Sequence, residues 1–176
     1  MYAYLRASSP HFEAALQVLH GLQRPSLIYC PDLPDPLRQR YSSPWMHFAA
    51  LPVDLAQVAQ QADAAVTYGS PAATIAFLLA GRPVLMIPGH LEQFLFSLRV
   101  EGFGAGLLIN PDQAPTDMAH KLRRILVEPS FAENARAFAR KYAFFNQSQV
   151  ITHLVRRIED LASGQTKAQN DHLLAP

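Results

Sequence analysis

Cysteine is almost absent from this chain of 176 residues, since Cys30 is the only one. A single thiol excludes both a disulfide framework and a zinc site built from cysteines. The surrounding sequence SLIYC is apolar, which predicts that the thiol is free and buried. Free buried cysteine is typical of a reducing compartment, so we expect a cytoplasmic protein.

Charge is scarce as well. Charged residues make up 16% of the chain, against about 25% in an average globular domain. The 15 Lys and Arg nearly balance the 14 Asp and Glu, and the net charge of +1 provides no broad field for nucleic acid or an anionic membrane. With 49% hydrophobic residues, this composition predicts a compact domain that hides part of its surface against a second domain or a second copy.

Long apolar runs are also missing. No run reaches the roughly 18 residues that a membrane span requires, and the first residues lack the layout of a signal peptide. We therefore expect no membrane span. The length corresponds to about one domain.

The chain does contain short apolar runs that alternate with longer amphipathic ones. Strands are predicted at 2–5, 26–30, 45–49, 64–68, 84–87 and 106–109, with helices at 10–21, 54–61, 71–80, 91–102, 115–127, from 130 and at 146–161. Strands separated by single helices indicate βαβ units. The predicted fold class is α/β, a Rossmann-like three-layer sandwich whose parallel sheet of about five or six strands has helices on both faces. We expect one domain over 1–162 and a loose polar tail over 163–176.

Several helix boundaries carry local signals. Ser9-Pro10 is predicted to cap the first helix, with proline in its first position. Asp54 is predicted to cap the helix that follows it, and Ser130 with Glu133 has the spacing of a capping box. Residues 31–44 contain four prolines, which favours a surface loop.

In parallel α/β sheets, ligands bind beyond the carboxyl ends of the strands. Residues 67–74 pass from strand to helix at such an end through a glycine and a serine. Pro71 lacks an amide hydrogen, but the amides of Ala72 and Ala73 and the hydroxyl of Thr74 remain available to a phosphate at the helix N-terminus. The alternative is an ordinary tight turn between strand and helix.

The next strand is followed by Pro88-Gly89-His90-Leu91-Glu92-Gln93. A carboxylate beside a carboxamide can bind the vicinal hydroxyls of a sugar, because Glu92 accepts hydrogen bonds while Gln93 both donates and accepts them. The alternative for Glu92 is simple stabilisation of the first helical turn. His90 is a candidate base, although a single histidine in a loop more often has no catalytic role.

Residues 63–106 resemble the nucleotide-sugar-binding half of two-domain GT-B glycosyltransferases, of the UDP-glycosyltransferase and macrolide glycosyltransferase group. The family pattern is roughly A-D-x-x-V-T-H-G-G-x-G-T-x-x-E-x-L-x-x-G-x-P, then P-x-x-x-D-Q, then L-G-A-G. The matching runs here are ADAAVTYGSPAATIAFLLAGRP, then PGHLEQ, then FGAG.

The resemblance implies a donor domain that binds a UDP- or dTDP-hexose as substrate and has no other cofactor and no metal site. It implies an N-terminal acceptor-binding domain, in cis or in trans, which supplies the catalytic base; no catalytic residue is expected in this chain. The implied contacts to the diphosphate are Tyr68, Gly69, Ser70 and Thr74; those to the sugar are Glu92 and Gln93, with His90 as a further candidate.

The chain departs from the family pattern at several contact positions. Tyr68 stands where the family has histidine, and Ala76 stands where a glutamate binds the ribose. The Gly, Gly and Thr of the family turn are replaced by Ser70, Ala72 and Ala73. These changes keep open an alternative function, a non-catalytic scaffold or regulatory domain with an eroded nucleotide pocket. Nucleotide-sugar 2-epimerases, which share the architecture, are a third possibility.

Overall fold

A computed structural model describes residues 1–110 and 117–164. Its elements are β1 (Tyr2–Tyr4), α1 (Phe12–Gly21), β2 (Ser26–Tyr29), α2 (Asp35–Tyr41), β3 (Met46–Ala49), α3 (Leu55–Gln61), β4 (Ala65–Thr67), α4 (Pro71–Leu79), β5 (Val84–Met86), α5 (Leu91–Gly102), β6 (Gly106–Leu108), α6 (Met118–Val127), α7 (Pro129–Lys141) and α8 (Gln147–Ala162).

The chain divides into two compact units, residues 1–140 and a second unit from 141 onward. The expected single domain over 1–162 remains a prediction. Of the expected loose tail, 165–176 lie outside the described residues. In the second unit, the Asn146 side chain caps α8 by accepting a hydrogen bond from the Gln149 amide at 3.2 Å.

The six strands form one parallel sheet in the order β3-β2-β1-β4-β5-β6. This confirms the predicted Rossmann-like α/β fold, with six strands. The chain first adds strands on one side of β1 and then continues with β4 on its other side. The β1–β4 pair is therefore the topological switch point, where such sheets open a crevice for ligands.

Apolar side chains pack on both faces of the sheet. Neighbouring residues of β1 point in opposite directions, so Ala3 joins a cluster with α1 and α6 while Tyr2 joins one with α3, α4 and α5. Tyr2 also stacks on Phe77 of α4, with ring centroids 5.4 Å apart. The predicted three-layer arrangement is thus confirmed, because each face of the sheet buries a separate core.

Two local predictions near the N-terminus were wrong. Helix α1 begins at Phe12 after the N-cap residue His11, and the Ser9 hydroxyl accepts a hydrogen bond from the His11 amide at 3.3 Å instead of capping the helix. Residues 31–44, expected as a loop, contain the helix α2. Prolines at the start of a helix need no amide partner, so Pro34 at the N-cap and Pro36 in the first turn are compatible with it.

Predictions for the later helices had mixed outcomes. Asp54 caps α3 as expected, since its Oδ1 accepts hydrogen bonds from the amides of Ala56 and Gln57 at 2.9 and 3.2 Å. Helix α7 starts at Pro129, so Ser130 lies inside the helix and does not cap it. The predicted start of α6 at residue 115 lies outside the described residues.

Helix α5 leaves an apolar stripe uncovered. Its Ser97 and Val100 are buried, whereas Leu91, Leu95 and Leu98 are exposed by 71%, 52% and 42%.

None of the helices in the described part of the chain is both long and apolar enough to cross a membrane.

Candidate functional site

The turn between β4 and α4 is built around Gly69. Its φ of +80° lies in the left-handed region, where residues with a Cβ are disfavoured. The Gly69 amide donates to Thr67 Oγ1 at 3.3 Å, and the first helical bond runs from the Thr74 amide to the Ser70 carbonyl at 3.0 Å. Helix α4 therefore begins immediately after the strand, and its N-terminus lies at the carboxyl edge of the sheet.

Ser70 is the N-cap residue of α4, but its side chain makes no capping hydrogen bond. Pro71 occupies the first helical position and has no amide hydrogen. The amides of Ala72 and Ala73 follow it at the helix N-terminus. Such a terminus carries a partial positive charge and favours an anion.

Thr74 is placed differently from the other predicted diphosphate contacts. Its side chain is completely buried, and Oγ1 lies 2.9 Å from Thr67 Oγ1. In this conformation the hydroxyl ties the first turn of α4 to the end of β4. A direct contact between Thr74 and a ligand stays a prediction, since the side chain is completely buried in this conformation.

The first turn of α5 lies against this same turn. A Cβ placed on Gly69 would lie 3.1 Å from Gln93 Cβ and 3.2 Å from Ser97 Oγ. The structure therefore brings the predicted sugar-binding segment next to the predicted diphosphate-binding segment. Glu92 is exposed at the edge, and His90 is the exposed N-cap residue of α5.

Gln93 already has one partner within the chain. Its side-chain oxygen Oε1 accepts a hydrogen bond from the Gly89 amide at 2.8 Å. This bond orients the carboxamide and leaves its NH2 group as the part that can donate to a ligand. Gln93 can thus act as a donor beside the acceptor Glu92.

Tyr68 lies at the centre of a cluster that the sequence did not reveal. Its ring contacts Tyr4 edge-on at a centroid distance of 4.8 Å, and the Arg6 guanidinium lies 5.4 Å from the Tyr68 ring centroid. Burial raises the pKa of the Tyr68 phenol, but hydrogen bonds with Ser70, Tyr4 and Arg6 outweigh burial and leave that pKa below its usual value. Tyr68 therefore connects Arg6 on one side to the start of α4 on the other.

Arg6 was not predicted as a site residue, because the motifs in the sequence lie in the loops after other strands and Arg6 follows β1. The order of the strands in the sheet is the signal that could have found it. A parallel sheet with β1 beside β4 places the residues after Tyr4 next to those after Thr67.

The loop after β2 contacts the loop after β1, on the side of β1 that faces away from β4. Asp32 Oδ1 accepts hydrogen bonds from the Ala7 amide and from Cys30 Sγ, both at 3.2 Å. Burial is the main cause that raises the pKa of the Cys30 thiol to about 12, and the bond to Asp32 adds to it. Cys30 is thus a buried neutral thiol, as predicted.

Asp32 and Glu92 are acidic residues at this edge, but they do not belong to a cluster of metal ligands in the part of the chain that the structure describes. Within residues 1–110 and 117–164, no group of three or more His, Cys, Asp or Glu side chains is placed to hold a metal ion. The positive end of α4 and the Arg6 guanidinium are two groups at this edge that can face an anion.

No model of a known protein family matches the chain. A sterol 3-beta-glucosyltransferase from Vanderwaltozyma polyspora is 31% identical over 81 residues, which are 46% of this chain but 7% of that protein. The sequence similarity therefore covers a short part of that relative.

Solved structures show the same fold over most of the chain. The glycosyltransferase VinC in complex with dTDP has a TM-score of 0.72 at 18% identity, covering 88% of this chain and 40% of VinC. The glycosyltransferase SsfS6 of Streptomyces sp. SF2575, complexed with thymidine diphosphate, has a TM-score of 0.66 at 20% identity, covering 89% of this chain and 41% of SsfS6.

These likenesses define a class of fold, the Rossmann-like portion of GT-B glycosyltransferases. The resemblance found in the sequence is confirmed at the level of the fold. The chain spans about 40% of each of these two solved structures.

Proposed function

We propose that this chain is the donor-binding domain of a glycosyltransferase that transfers a hexose from a UDP- or dTDP-sugar to a hydroxyl of a small molecule or lipid. One observation carries the proposal. The Gly69 turn at the tip of α4 and Gln93 in the first turn of α5 are in contact, which supports a predicted anion site beside a predicted site for hydroxyl groups. A nucleotide-sugar carries both chemical features in one molecule.

The diphosphate would lie at the N-terminus of α4. The amides of Ala72 and Ala73, the positive helix end and the Tyr68 hydroxyl can hold its negative charge. Charge on the diphosphate increases as the bond to the sugar breaks. Groups fixed in advance around that charge lower the energy of the transition state, so this domain would stabilise the leaving group.

The sugar would extend towards α5. The Glu92 carboxylate can accept hydrogen bonds from sugar hydroxyls, and the Gln93 NH2 group can donate one. His90 lies beside them and is exposed. Such contacts orient the anomeric carbon towards the acceptor, which lowers the entropic cost of the transfer.

The remaining parts of the reaction would come from a partner. Because the chain spans about 40% of the solved glycosyltransferases, we assign the acceptor site and the catalytic base to an N-terminal domain, present in cis or in trans. The low content of charged residues predicts that part of the surface is covered. A second copy of the chain, in a homodimer, is the alternative to an N-terminal domain as the partner that covers it.

The test is calorimetry on the full-length protein with UDP, dTDP and their hexose conjugates. We expect one of the nucleotide-sugars to bind, and Glu92→Ala to weaken the sugar conjugate while leaving the free nucleotide unchanged. Glu133→Ala is the matched control, because Glu133 is an exposed glutamate near the start of α7. The absence of any binding at millimolar ligand would overturn the proposal.

A non-catalytic scaffold is the second candidate, and two observations favour it. The Thr74 hydroxyl faces Thr67, and Tyr68 with Ala76 replaces the histidine and glutamate of the family pattern. If the pocket is eroded, wild type should bind no nucleotide, whereas Tyr68→His combined with Ala76→Glu should create measurable affinity.

For the third possibility, a nucleotide-sugar 2-epimerase, the test is an analysis of the reaction products, which separates glycoside formation from 2-epimerisation.

A further inference from the structure

Arg6 is a positively charged residue in the loop that follows β1, at the carboxyl edge of the sheet. Ligands reach the carboxyl edge through the loops that follow the six strands. Among the described residues of those loops, Arg6 is the one arginine, and there is no lysine. The ammonium of Lys121 in α6 also reaches this edge, where it donates to the Leu108 carbonyl at 2.9 Å, but it is paired with Asp117 at 2.8 Å.

Aromatic contacts hold the Arg6 guanidinium in place. It lies 5.8 Å from the Tyr4 ring centroid and 5.4 Å from the Tyr68 ring centroid. The two rings are in edge-on contact, and the Tyr68 amide donates to the Tyr4 carbonyl at 3.1 Å. Cation–π contacts of this kind restrict a long side chain without neutralising it, so the cation is pre-positioned across β1 and β4.

Arg6 has a partner within the chain, since its guanidinium forms a hydrogen bond with Tyr68, and the charge of Asp32 also acts on it. Arg6 is exposed and takes part in none of the ion pairs of the described residues. Asp32, a nearby acid, uses Oδ1 to accept hydrogen bonds from the Ala7 amide and the Cys30 thiol. Because Tyr68 takes up one hydrogen bond and none of these ion pairs includes Arg6, other N–H groups of the guanidinium remain to donate to an external anion.

We propose that Arg6 is a binding residue for the diphosphate of the nucleotide-sugar and grips it from the β1 side while the α4 N-terminus binds it from the β4 side. This assignment rests on the proposed function and adds the residue that supplies the charge. A guanidinium matches phosphate oxygens with two parallel hydrogen bonds. Tyr68, in contact with both Arg6 and Ser70, would line the space between the two groups.

The competing explanation is that Arg6 only packs on the two rings and has a structural role. The two roles differ in their dependence on salt. A phosphate contact at an exposed site weakens as salt screens it, whereas a packing role has no effect on the salt dependence of ligand affinity.

The experiment measures the affinity of the full-length protein for UDP and for dTDP at low and at high sodium chloride. We expect Arg6→Met to weaken the tighter of the two nucleotides about 10- to 150-fold at low salt, the range for a hydrogen bond to a charged group. The variant should also lose much of the salt dependence. Arg6→Lys keeps the charge but not the fork, so it should weaken binding by a smaller factor.

Arg124→Met is the matched control. Arg124 also lies over an aromatic ring, with its guanidinium 5.6 Å from the Phe131 centroid, but it belongs to the last turn of α6. This variant should bind as wild type does. If Arg6→Met loses its native circular dichroism, the Arg6→Lys affinity and its salt dependence decide the question.

The outcomes separate this inference from the proposed function. If wild type binds neither UDP nor dTDP, the proposed function fails and the role of Arg6 fails with it. If wild type binds and both Arg6 variants stay within about twofold of it, with the same salt dependence, the role of Arg6 is overturned while the donor-binding function stands.

Discussion

Replacing Gly69 with alanine tests whether the turn between β4 and α4 is as constrained as its geometry indicates. The backbone φ is +80°, and a methyl group would lie 3.1 Å from Gln93 Cβ, 3.2 Å from Ser97 Oγ and 3.4 Å from Pro88 Cα. These neighbours include backbone and helix-fixed atoms, which cannot move aside as the end of a flexible side chain can. We therefore expect both strain and overpacking at this position.

The two costs can be sized separately. A residue with a Cβ in the left-handed region costs about 1–2 kcal/mol, and overpacking a tight site costs typically about 1–3 kcal/mol. Together they predict a loss of about 2–5 kcal/mol in the free energy of unfolding for Gly69→Ala. That is a large fraction of the roughly 5–15 kcal/mol by which a domain is stable.

Two other glycines provide matched controls. Gly81 has a similar φ of +70°, but a methyl group there would make one contact shorter than 3.4 Å, to Arg136 Cγ at 3.2 Å, with Arg136 Cα at 3.4 Å, whereas Gly69 would make two. Gly81→Ala should therefore cost mainly the strain, about 1–2 kcal/mol. Gly21 ends α1, and no atom lies within 4 Å of the place that a methyl group would occupy, so Gly21→Ala should be neutral or stabilise the chain by up to about 1 kcal/mol.

Urea unfolding followed by circular dichroism measures all three variants, and calorimetry with UDP or dTDP measures the site. The expected order of destabilisation is Gly69→Ala, then Gly81→Ala, then Gly21→Ala. The reasoning is refuted if Gly69→Ala unfolds within about 0.5 kcal/mol of wild type, the scatter of ordinary surface substitutions, or if Gly81→Ala is the more damaging change.

Three further predictions concern other polar contacts. Asp54→Ala should lower the free energy of unfolding by about 1 kcal/mol through loss of the α3 cap, and Asp54→Asn should recover most of it in the same urea assay. Each of the substitutions Thr67→Val and Thr74→Val should destabilise the chain, and a double-mutant cycle should show a coupling of about 0.5–3 kcal/mol between the two hydroxyls. If the two losses of stability simply add, the hydrogen bond between these hydroxyls is contradicted. The pKa of the Cys30 thiol is raised from 9.0 to about 12 in the native chain, so at pH 9 the native thiol keeps its proton whereas the unfolded thiol has begun to lose it. The free energy of unfolding should therefore fall as the pH rises from 9 to 12. Iodoacetamide should label Cys30 at pH 9 much more slowly in buffer than in urea.

The central part of the fold was predictable because its local signals agree with one another. Strand β4, helix α4, strand β5 and helix α5 follow apolar runs whose ends are marked by Gly, Pro or Ser, and the structure reproduces them within a residue or two. Helix α2 was missed because four prolines in 31–44 suggested a loop, although prolines are acceptable in a first helical turn. Local composition could not show that Leu37 and Tyr41 pack on the core.

Much of the candidate site could also be located from the sequence, since the turn after β4 and the start of α5 lie together as the parallel topology requires. What the sequence could not show was which polar groups face outward. Thr74 and Gln93 have partners within the chain, and those partners depend on side-chain directions. Arg6 was missed for a related reason, because its position beside Tyr68 is set by the β1–β4 pairing and not by neighbouring residues.

The strand order has a mechanical consequence for this site. The sheet consists of two three-stranded blocks, β3-β2-β1 and β4-β5-β6, and the β1–β4 ladder is the seam between them. A ligand held by Arg6 on one block and by the tip of α4 on the other would act as a clamp across that seam. Binding would then resist separation of the blocks, and hydrogen exchange of the amides that pair β1 with β4 should slow in proportion to ligand occupancy.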